Sequence, residues 1–443
     1  MAWSMATRWR PALGGLIGLG GLIGLGGALL SRGSPLSELG LAPATDPDVI
    51  FIVLDTVRSS STSLCGHDRP TTPVLESLKR QGWATTCRAV TPGTWTVPSH
   101  ASFFTGWEVS DFEGGARQPT PEQTLTGQLA ARGYQTAMIS ANMVLKEPGW
   151  IGEGFDTLEI AHSFSELKGD ALSGSVAARL EALDPDRPLF LFVNVVDAHA
   201  PYPAVPEGLG WIEPQRPVQH RMWLKDRQTP FNRYVSGEMG DAEARRYRRR
   251  LANGYDYGVF QADRSLGRIL GLLRGADRLG HARVVITSDH GEFVGEHQLV
   301  GHGDTLYEPG VRVPLLFHPA AGPSPVLPEP LSARHVFELL LEGALPDPEP
   351  PISVVTHQPS QRTSYSGVAV WGPDEQKLLW RDGTLQRFDL SADPGELRPL
   401  PVGQHPLLPV LEASAEAHNH AVASTRSPGE ETIELLRAAG YVE

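Results

Sequence analysis

Cysteine is almost absent from this chain: 443 residues carry 2, Cys65 and Cys87. At most one disulfide can form, closing a loop of about 22 residues in an exported protein, and the alternative is two separate buried thiols. Positive charge is short as well. Lys and Arg number 38 against 51 Asp and Glu, a net charge of −13, which argues against a nucleic-acid partner. The local exception is Arg245-Arg246-Tyr247-Arg248-Arg249-Arg250. It sits in helix-like sequence continuing to about Arg274, where a basic run reads as a solvated helix face.

What is present suffices for a packed core: 40% of residues are hydrophobic and 20% charged. The length implies one large α/β unit plus a smaller one. Residues 1–45 stand apart. Arg8 and Arg10 precede an uncharged stretch, 11–30, in which Gly-Leu-Ile-Gly-Leu-Gly occurs twice. About 20 apolar residues span a bilayer, more than a secretory h-region needs. The expectation is therefore an uncleaved N-terminal membrane anchor with the rest of the chain extracytoplasmic. Cleavage near Ala42-Pro43-Ala44, giving a secreted or periplasmic protein, is the alternative.

From residue 46 onward strand-like and helix-like segments alternate. Helices are expected at 72–81, 124–131, 173–183, 243–273 and 332–341, and strands at 134–140, 189–196, 284–288 and 311–317. That alternation predicts a largely parallel sheet covered on both faces. The Pro-rich stretch 204–240 reads as a long loop that would cover a site. Pro346–Pro351 reads as a linker, dividing a domain over 46–345 from a small C-terminal subdomain and tail over 346–443. Two short strand-like segments, 376–380 and 385–390, lie in that subdomain, and 430–439 is helix-like.

Three segments carry the chemistry. Asp48-Val49-Ile50-Phe51-Ile52-Val53-Leu54-Asp55 is an apolar run delivering a carboxylate at its end, where open α/β sheets bind ligands. Arg283-Val284-Val285-Ile286-Thr287-Ser288-Asp289-His290 repeats the device with an acid and an imidazole. Thr96-Val97-Pro98-Ser99-His100 reads as the start of a helix, with Pro in the first turn and Ser able to cap. A Thr96 hydroxyl there, beside a metal, is a plausible nucleophile toward phosphorus or sulfur. Asp55, Thr96, Asp289 and His290 could supply three oxygens and a nitrogen to one divalent cation. His199, after the apolar run 189–197, and His302 are further candidates for oxyanion contact or leaving-group protonation. His297, a lone loop histidine, is a weaker one.

These segments, with Arg69-Pro70-Thr71-Thr72-Pro73, Asp197-Ala198-His199-Ala200-Pro201-Tyr202, Gly295-Glu296-His297, Leu306-Tyr307-Glu308, Val311-Arg312-Val313-Pro314-Leu315 and Phe388–Glu396, resemble the sulfatase branch of the alkaline phosphatase superfamily. They run in family order from about residue 48 to about residue 400. The resemblance implies an alkaline-phosphatase-like α/β sandwich with a small C-terminal α+β subdomain. It also implies metal-dependent cleavage of phosphate or sulfate esters carried by a glycolipid, a polysaccharide or a small molecule.

The departures from that family are specific. Thr96 holds the position of the Cys that sulfatases oxidise to formylglycine, and a secondary alcohol cannot undergo that oxidation. His100 holds the Arg position, His302 matches a Lys, and Ser60 and Ala141 stand where sulfatases tend to have Asp and Lys. His290 replaces an amide in the metal shell. An imidazole there favours manganese or zinc over calcium. The acid–Thr–Asp–His set is similar to that of lipoteichoic acid synthase-type phosphotransferases, which implies phosphoryl-type transfer through Thr96. The other readings are a true sulfuric ester hydrolase and a non-catalytic sulfatase-fold envelope protein.

Overall fold

The computed structural model describes residues 46–112, 118–146, 149–218, 228–303, 305–346, 352–357, 366–381 and 383–423. The anchor expected within 1–45, most of the linker and the helix expected at 430–439 lie outside them. Among the described residues no helix is long and apolar enough to cross a membrane.

In chain order the strands are β1 Val49–Leu54, β2 Ala84–Val90, β3 Gln135–Ser140, β4 Thr157–Ile160, β5 Leu189–Val195, β6 Arg283–Thr287, β7 Phe293–Val294, β8 Val300–Gly301, β9 Arg312–His318, β10 Leu331–Ser332, β11 Ile352–His357, β12 Ser366–Trp371, β13 Gln376–Arg381 and β14 Thr384–Asp389. The helices are α1 Pro73–Arg80, α2 Thr96–Thr105, α3 Leu125–Ala131, α4 Asp170–Glu181, α5 Pro230–Val235, α6 Asp241–Gly275, α7 Glu308–Val311, α8 Val336–Leu341 and α9 Leu408–Ala423.

Eight strands form one sheet in the order β10-β2-β9-β6-β1-β5-β3-β4. β1 pairs in parallel with β5 and β6, and β3 with β5 and β4. Only β9 is reversed, antiparallel to both β2 and β6. Every residue of β1 and β5 is buried, as near-continuous apolar strands should be when helices cover both faces. Alternate β1 residues serve the two faces. Ile50, Ile52 and Leu54 pack with α1, α4 and α6 through Leu75, Val176 and Leu266. Val49, Phe51 and Val53 pack with α2, α3 and α8 through Phe103, Leu129 and Leu339. The sheet centre is therefore the core, and the carboxyl ends of β1, β5 and β6 open together on one rim.

Of the two readings for the cysteines, the structure takes the disulfide. Cys65 and Cys87 are bonded, tying a 3-10 turn to β2. The stretch expected as a plain loop over 204–240 is more ordered than that. Tyr202 and Val205 bridge to Val218 and Gln215, and the segment includes α5. Its described part packs on α6, since Gln215 Nε2 donates to Arg250 O at 2.9 Å. The expected helix 332–341 begins instead as β10 and a 3-10 turn before α8.

The C-terminal sheet is antiparallel, β11-β12-β13-β14. α9 covers one face through Leu411 against Val368, Val370 and Leu378. The other face, through Ala369, Trp371, Leu379 and Phe388, joins Phe293, Leu306 and Tyr307 of the main domain. At this seam the fully buried Lys377 donates to Leu306 O at 2.6 Å, Glu308 Oε1 at 3.0 Å and Glu396 Oε1 at 2.6 Å. Removing one partner of a buried charge network leaves the others uncompensated. Lys377→Met is expected to cost about 3–5 kcal/mol, read by urea denaturation of the full chain. A loss below about 1 kcal/mol would show that the seam is held by apolar contact instead.

Candidate active site

Asp55 is the residue after β1, and its N–H continues the ladder to Val195 O at 2.9 Å. The chain then turns sharply: Thr56 has φ 63°, and its N–H donates to Asp289 Oδ1 at 3.2 Å. Asp289 and His290 follow β6, the strand next to β1, and so reach the same rim, since Val53 and Thr287 are register partners. Gly291 lets this segment pass, because a Cβ there would lie 2.0 Å from Pro309 O. Ser288 ties the two turns together, accepting from Val57 N at 2.9 Å and donating to His290 O at 2.7 Å.

Thr96 opens α2 directly. Trp95 occupies the N-cap position without a side-chain cap, and Ser99, expected as a capping residue, instead lies 3.1 Å from the Thr91 hydroxyl. The Thr96 hydroxyl is fully buried and turns into the cluster. Asn142 Nδ2 donates to Thr96 Oγ1 at 3.1 Å and to Asp55 Oδ2 at 2.8 Å. Asn194 Nδ2 donates to the same Asp55 oxygen at 3.2 Å. His290 Nε2 stands 3.4 Å from Thr96 Oγ1, 3.4 Å from Asp289 Oδ2 and 3.9 Å from Asp55 Oδ1.

The residues fit a bound cation. Asp55 Oδ1 and Asp289 Oδ2 are buried without a hydrogen-bond partner, and each of Asp55, Asp289 and His290 offers a donor atom within 4.8 Å of the other two. The Nδ1 of His290 lies 3.0 Å from Gly291 O. With the ring proton there, the Nε2 lone pair faces the carboxylates, the tautomer a metal ligand requires. Burial, reinforced by the charge of Asp55, raises Asp289 well above the usual carboxylate range. Burial, reinforced by His302, holds His290 well below the usual imidazole range. Ionising both carboxylates in this setting costs several kcal/mol per ion unless a positive charge offsets it.

Two more imidazoles form a wall beside this centre. The ring of His302 lies 4.2 Å from that of His290 and 5.3 Å from that of His199. Glu292 Oε2 holds His302 Nδ1 at 2.9 Å. His199 stacks on Phe164 with centroids 4.3 Å apart and donates through Nδ1 to Ala200 O at 2.7 Å, and its Nε2 is buried without a partner. Burial lowers its affinity for a second proton. His297 is elsewhere, stacked on Tyr307 at 4.0 Å.

His100 lies beneath the nucleophile, fully buried between Phe103 and Phe192. Its Nδ1 donates to Thr96 O at 2.8 Å and is 3.8 Å from Asp289 Oδ2. Asn142, Asn194 and Glu292 were not among the residues expected from sequence. Asn142 was accessible to the same reasoning as Asp55, being a polar residue just past an apolar strand, β3. Asn194 interrupts the apolar run of β5, and that interruption was the signal.

A model of the sulfatase family matches residues 47–342. The chain belongs to the sulfatase family. An arylsulfatase of Clostridium perfringens is 22% identical over 433 residues, 79% of this chain and 89% of that protein. Among solved structures, BT4656 with its substrate D-glucosamine-2-N,6-O-disulfate superposes with a TM-score of 0.62 at 18% identity, over 86% of this chain and 100% of that one. The phosphonate monoester hydrolase of Agrobacterium radiobacter gives 0.59 at 16%, over 85% and 95%. The periplasmic domain of phosphoethanolamine transferase EptC from Campylobacter jejuni gives 0.50 at 19%, over 67% and 88%. The fold is thus shared by sulfatase-family enzymes of differing chemistry, as the colinear motifs implied.

The burial of His100 has a measurable consequence. Its protonation is pushed from the usual 6.5 down to about 4 by burial, which outweighs its bond to the Thr96 carbonyl and the charge of Asp55. As pH falls below 6.5 the unfolded chain binds a proton that the folded chain refuses until about 4, so stability drops across that window by roughly 3 kcal/mol. His100→Gln keeps a donor and removes the titration. In EDTA, its urea-unfolding free energy should fall less between pH 7 and 4.5 than that of the parent, and equal slopes would refute the assignment.

Proposed function

We propose that this protein is a metal-dependent hydrolase or transferase of phosphate esters, with sulfate esters as the competing substrate class, and that Thr96 attacks. The observation that carries the reading is the Thr96 hydroxyl, held by Asn142 and set 3.4 Å from His290 Nε2 at the N-terminus of α2. A helix N-terminus favours the charge that develops on an attacked phosphoryl group. Asp55, Thr96, Asp289 and His290 would hold a divalent cation, which supplies Lewis-acid charge that lets the hydroxyl release its proton. The imidazole in that set supports manganese or zinc over calcium.

The remaining residues divide the proton work. Thr96 Oγ forms the bond to phosphorus as the bond to the ester oxygen breaks. His302, oriented by Glu292, protonates the departing oxygen. Burial keeps His199 neutral, so its Nε2 lone pair is available to take a proton from water or an acceptor alcohol in the second step, as the bond from phosphorus to Thr96 Oγ breaks. His100 holds the Thr96 carbonyl from below and positions the helix turn. Formylglycine chemistry has no starting thiol at Thr96, and the two cysteines are joined to each other. A non-catalytic scaffold would have no use for two buried carboxylates that each leave one oxygen without a hydrogen-bond partner.

The Cys65–Cys87 bond and the apolar run 11–30 support an extracytoplasmic enzyme on a single N-terminal anchor. BT4656 was solved with a sulfated glucosamine, which supports a saccharide or glycolipid ester as the substrate class.

Thr96→Ala should lower kcat on aryl phosphate by about a thousandfold or more while leaving the unfolding midpoint unchanged, and Thr96→Ser should retain measurable turnover. A Thr96→Ala enzyme with most of its activity would overturn the nucleophile. Manganese or zinc should restore EDTA-treated enzyme better than calcium, and His290→Asn should shift preference toward harder ions. Restoration by calcium alone would point back to sulfatase chemistry. In a His199→Ala variant, which lacks the base of the second step, the Thr96 peptide should gain the mass of a phosphoryl group after brief exposure to substrate. An unmodified peptide, together with brisk arylsulfate cleavage by the parent, would reject phosphoryl transfer.

A further inference from the structure

Taking the family pattern of the resemblance, the site lacks a permanently cationic side chain at three positions, with His302 in place of one lysine. His100 is neutral and enclosed, and Ala141 is a buried residue without a charge. A phosphate or sulfate ester carries negative oxygens that a single divalent cation does not fully neutralise, and such sites ordinarily add Arg or Lys contacts.

A replacement stands on a different part of the chain. The loop 161–169 follows β4 and leaves the sheet at the same rim as Asp55 and Asp289. Two contacts fix it there. Phe164 stacks on the catalytic imidazole of His199 and packs with Trp95, Val97, Met143 and Val144 around the start of α2. Five residues on, the backbone at Gly169 faces the Asp197 carboxylate and acts favourably on its charge, and Asp197 Oδ2 accepts from Ser265 Oγ at 3.3 Å. Lys168 lies between these anchor points and is half-buried. The carboxylates of Asp197 and Asp55 are the charges that act favourably on its ammonium, against the cost of burial. Neither pairs with it: among the described residues no ion pair within 4.0 Å and no hydrogen bond engages the ammonium, whereas Asp197 accepts from Ser265 Oγ. It is a cation held at the rim of the metal centre with its bonding capacity unspent.

We propose that Lys168 binds the non-bridging oxygens of the substrate's phosphate or sulfate group, supplying from the β4–α4 loop the positive charge that this chain lacks at positions 100 and 141. The proposal rests on the reading of the site as an ester-cleaving centre. It assigns Phe164 a supporting part, since the same loop sets the face of His199. It also separates Lys168 from a purely structural counter-ion of Asp197, which would hold the loop without touching the anion.

The probe is inorganic phosphate, titrated calorimetrically into the manganese-loaded full chain and used as a competitive inhibitor of aryl phosphate cleavage. Lys168→Met should weaken phosphate binding about 10- to 100-fold, the range of one charge-assisted contact. Lys168→Arg should stay within about threefold of the parent. If Lys168→Met lowers the unfolding midpoint, the double variant Lys168→Met/Asp197→Asn removes both charges, and its phosphate affinity decides: weak binding in a stable double variant supports direct contact. Parent-like phosphate affinity in Lys168→Met, with turnover intact, overturns the role of Lys168 and leaves the ester-cleaving centre standing. A parent protein that neither binds phosphate nor cleaves aryl phosphate or arylsulfate overturns both.

Discussion

Two buried carboxylates, side by side at the ends of neighbouring parallel strands, set the terms for this fold. Asp55 and Asp289 are fully buried, each with one oxygen that has no hydrogen-bond partner. Everything nearby either holds them in place or compensates for them. Amides of Asn142 and Asn194 serve Asp55, and the backbone N–H groups of Thr56 and His290 serve Asp289. The left-handed Thr56 and the close passage of Gly291 past Pro309 exist because the chain must turn immediately after each strand to present these groups. In a folded state arranged like this a bound cation would add to stability, since its charge would relieve the repulsion between the two carboxylates.

The histidines show how one residue type takes four assignments by environment. His290 is held with its lone pair toward the carboxylates, His302 is oriented by Glu292, His199 is stacked on Phe164 with an open Nε2, and His100 is sealed in aromatic surroundings. Burial disfavours the charged form at His100, His199 and His290, so positive charge has to come from elsewhere on the rim. The C-terminal sheet contributes indirectly. Lys377 binds Leu306 O and Glu308, and so braces the segment that follows His302.

The metal centre was legible because it is written locally: an apolar strand ending in an acid places that acid at the sheet's carboxyl rim, and two such strands with a helix-start hydroxyl give most of the set. Strand and helix boundaries around the core followed from the same alternation. The supporting residues were not legible, for a topological reason. β6, β1, β5 and β3 are neighbours in space although the starts of adjacent strands lie 54 to 234 residues apart along the chain, so Asn142 meets Asp55, 87 residues away, only through the strand crossings. The reversal of β9 and the helix α9 also depend on packing that no local pattern encodes. His100 was expected to face the site in place of an arginine; it lies under the helix turn instead, because its Nδ1 is satisfied by the Thr96 carbonyl one turn back.

That aromatic enclosure bears on how the two chemistries of this family could interconvert. Phe103 comes from the helix that carries Thr96, and Phe192 from β5, the strand leading to His199. An arginine in place of His100 would bring a permanent charge and a longer side chain into a space closed by two phenyl rings, with no water to solvate it. Placing a cysteine at position 96 therefore does not by itself give a motif that also needs an arginine at position 100. The strand and the helix would have to be exchanged as a matched pair, and any lineage or engineer making the substitution must rebuild the core layer before the nucleophile.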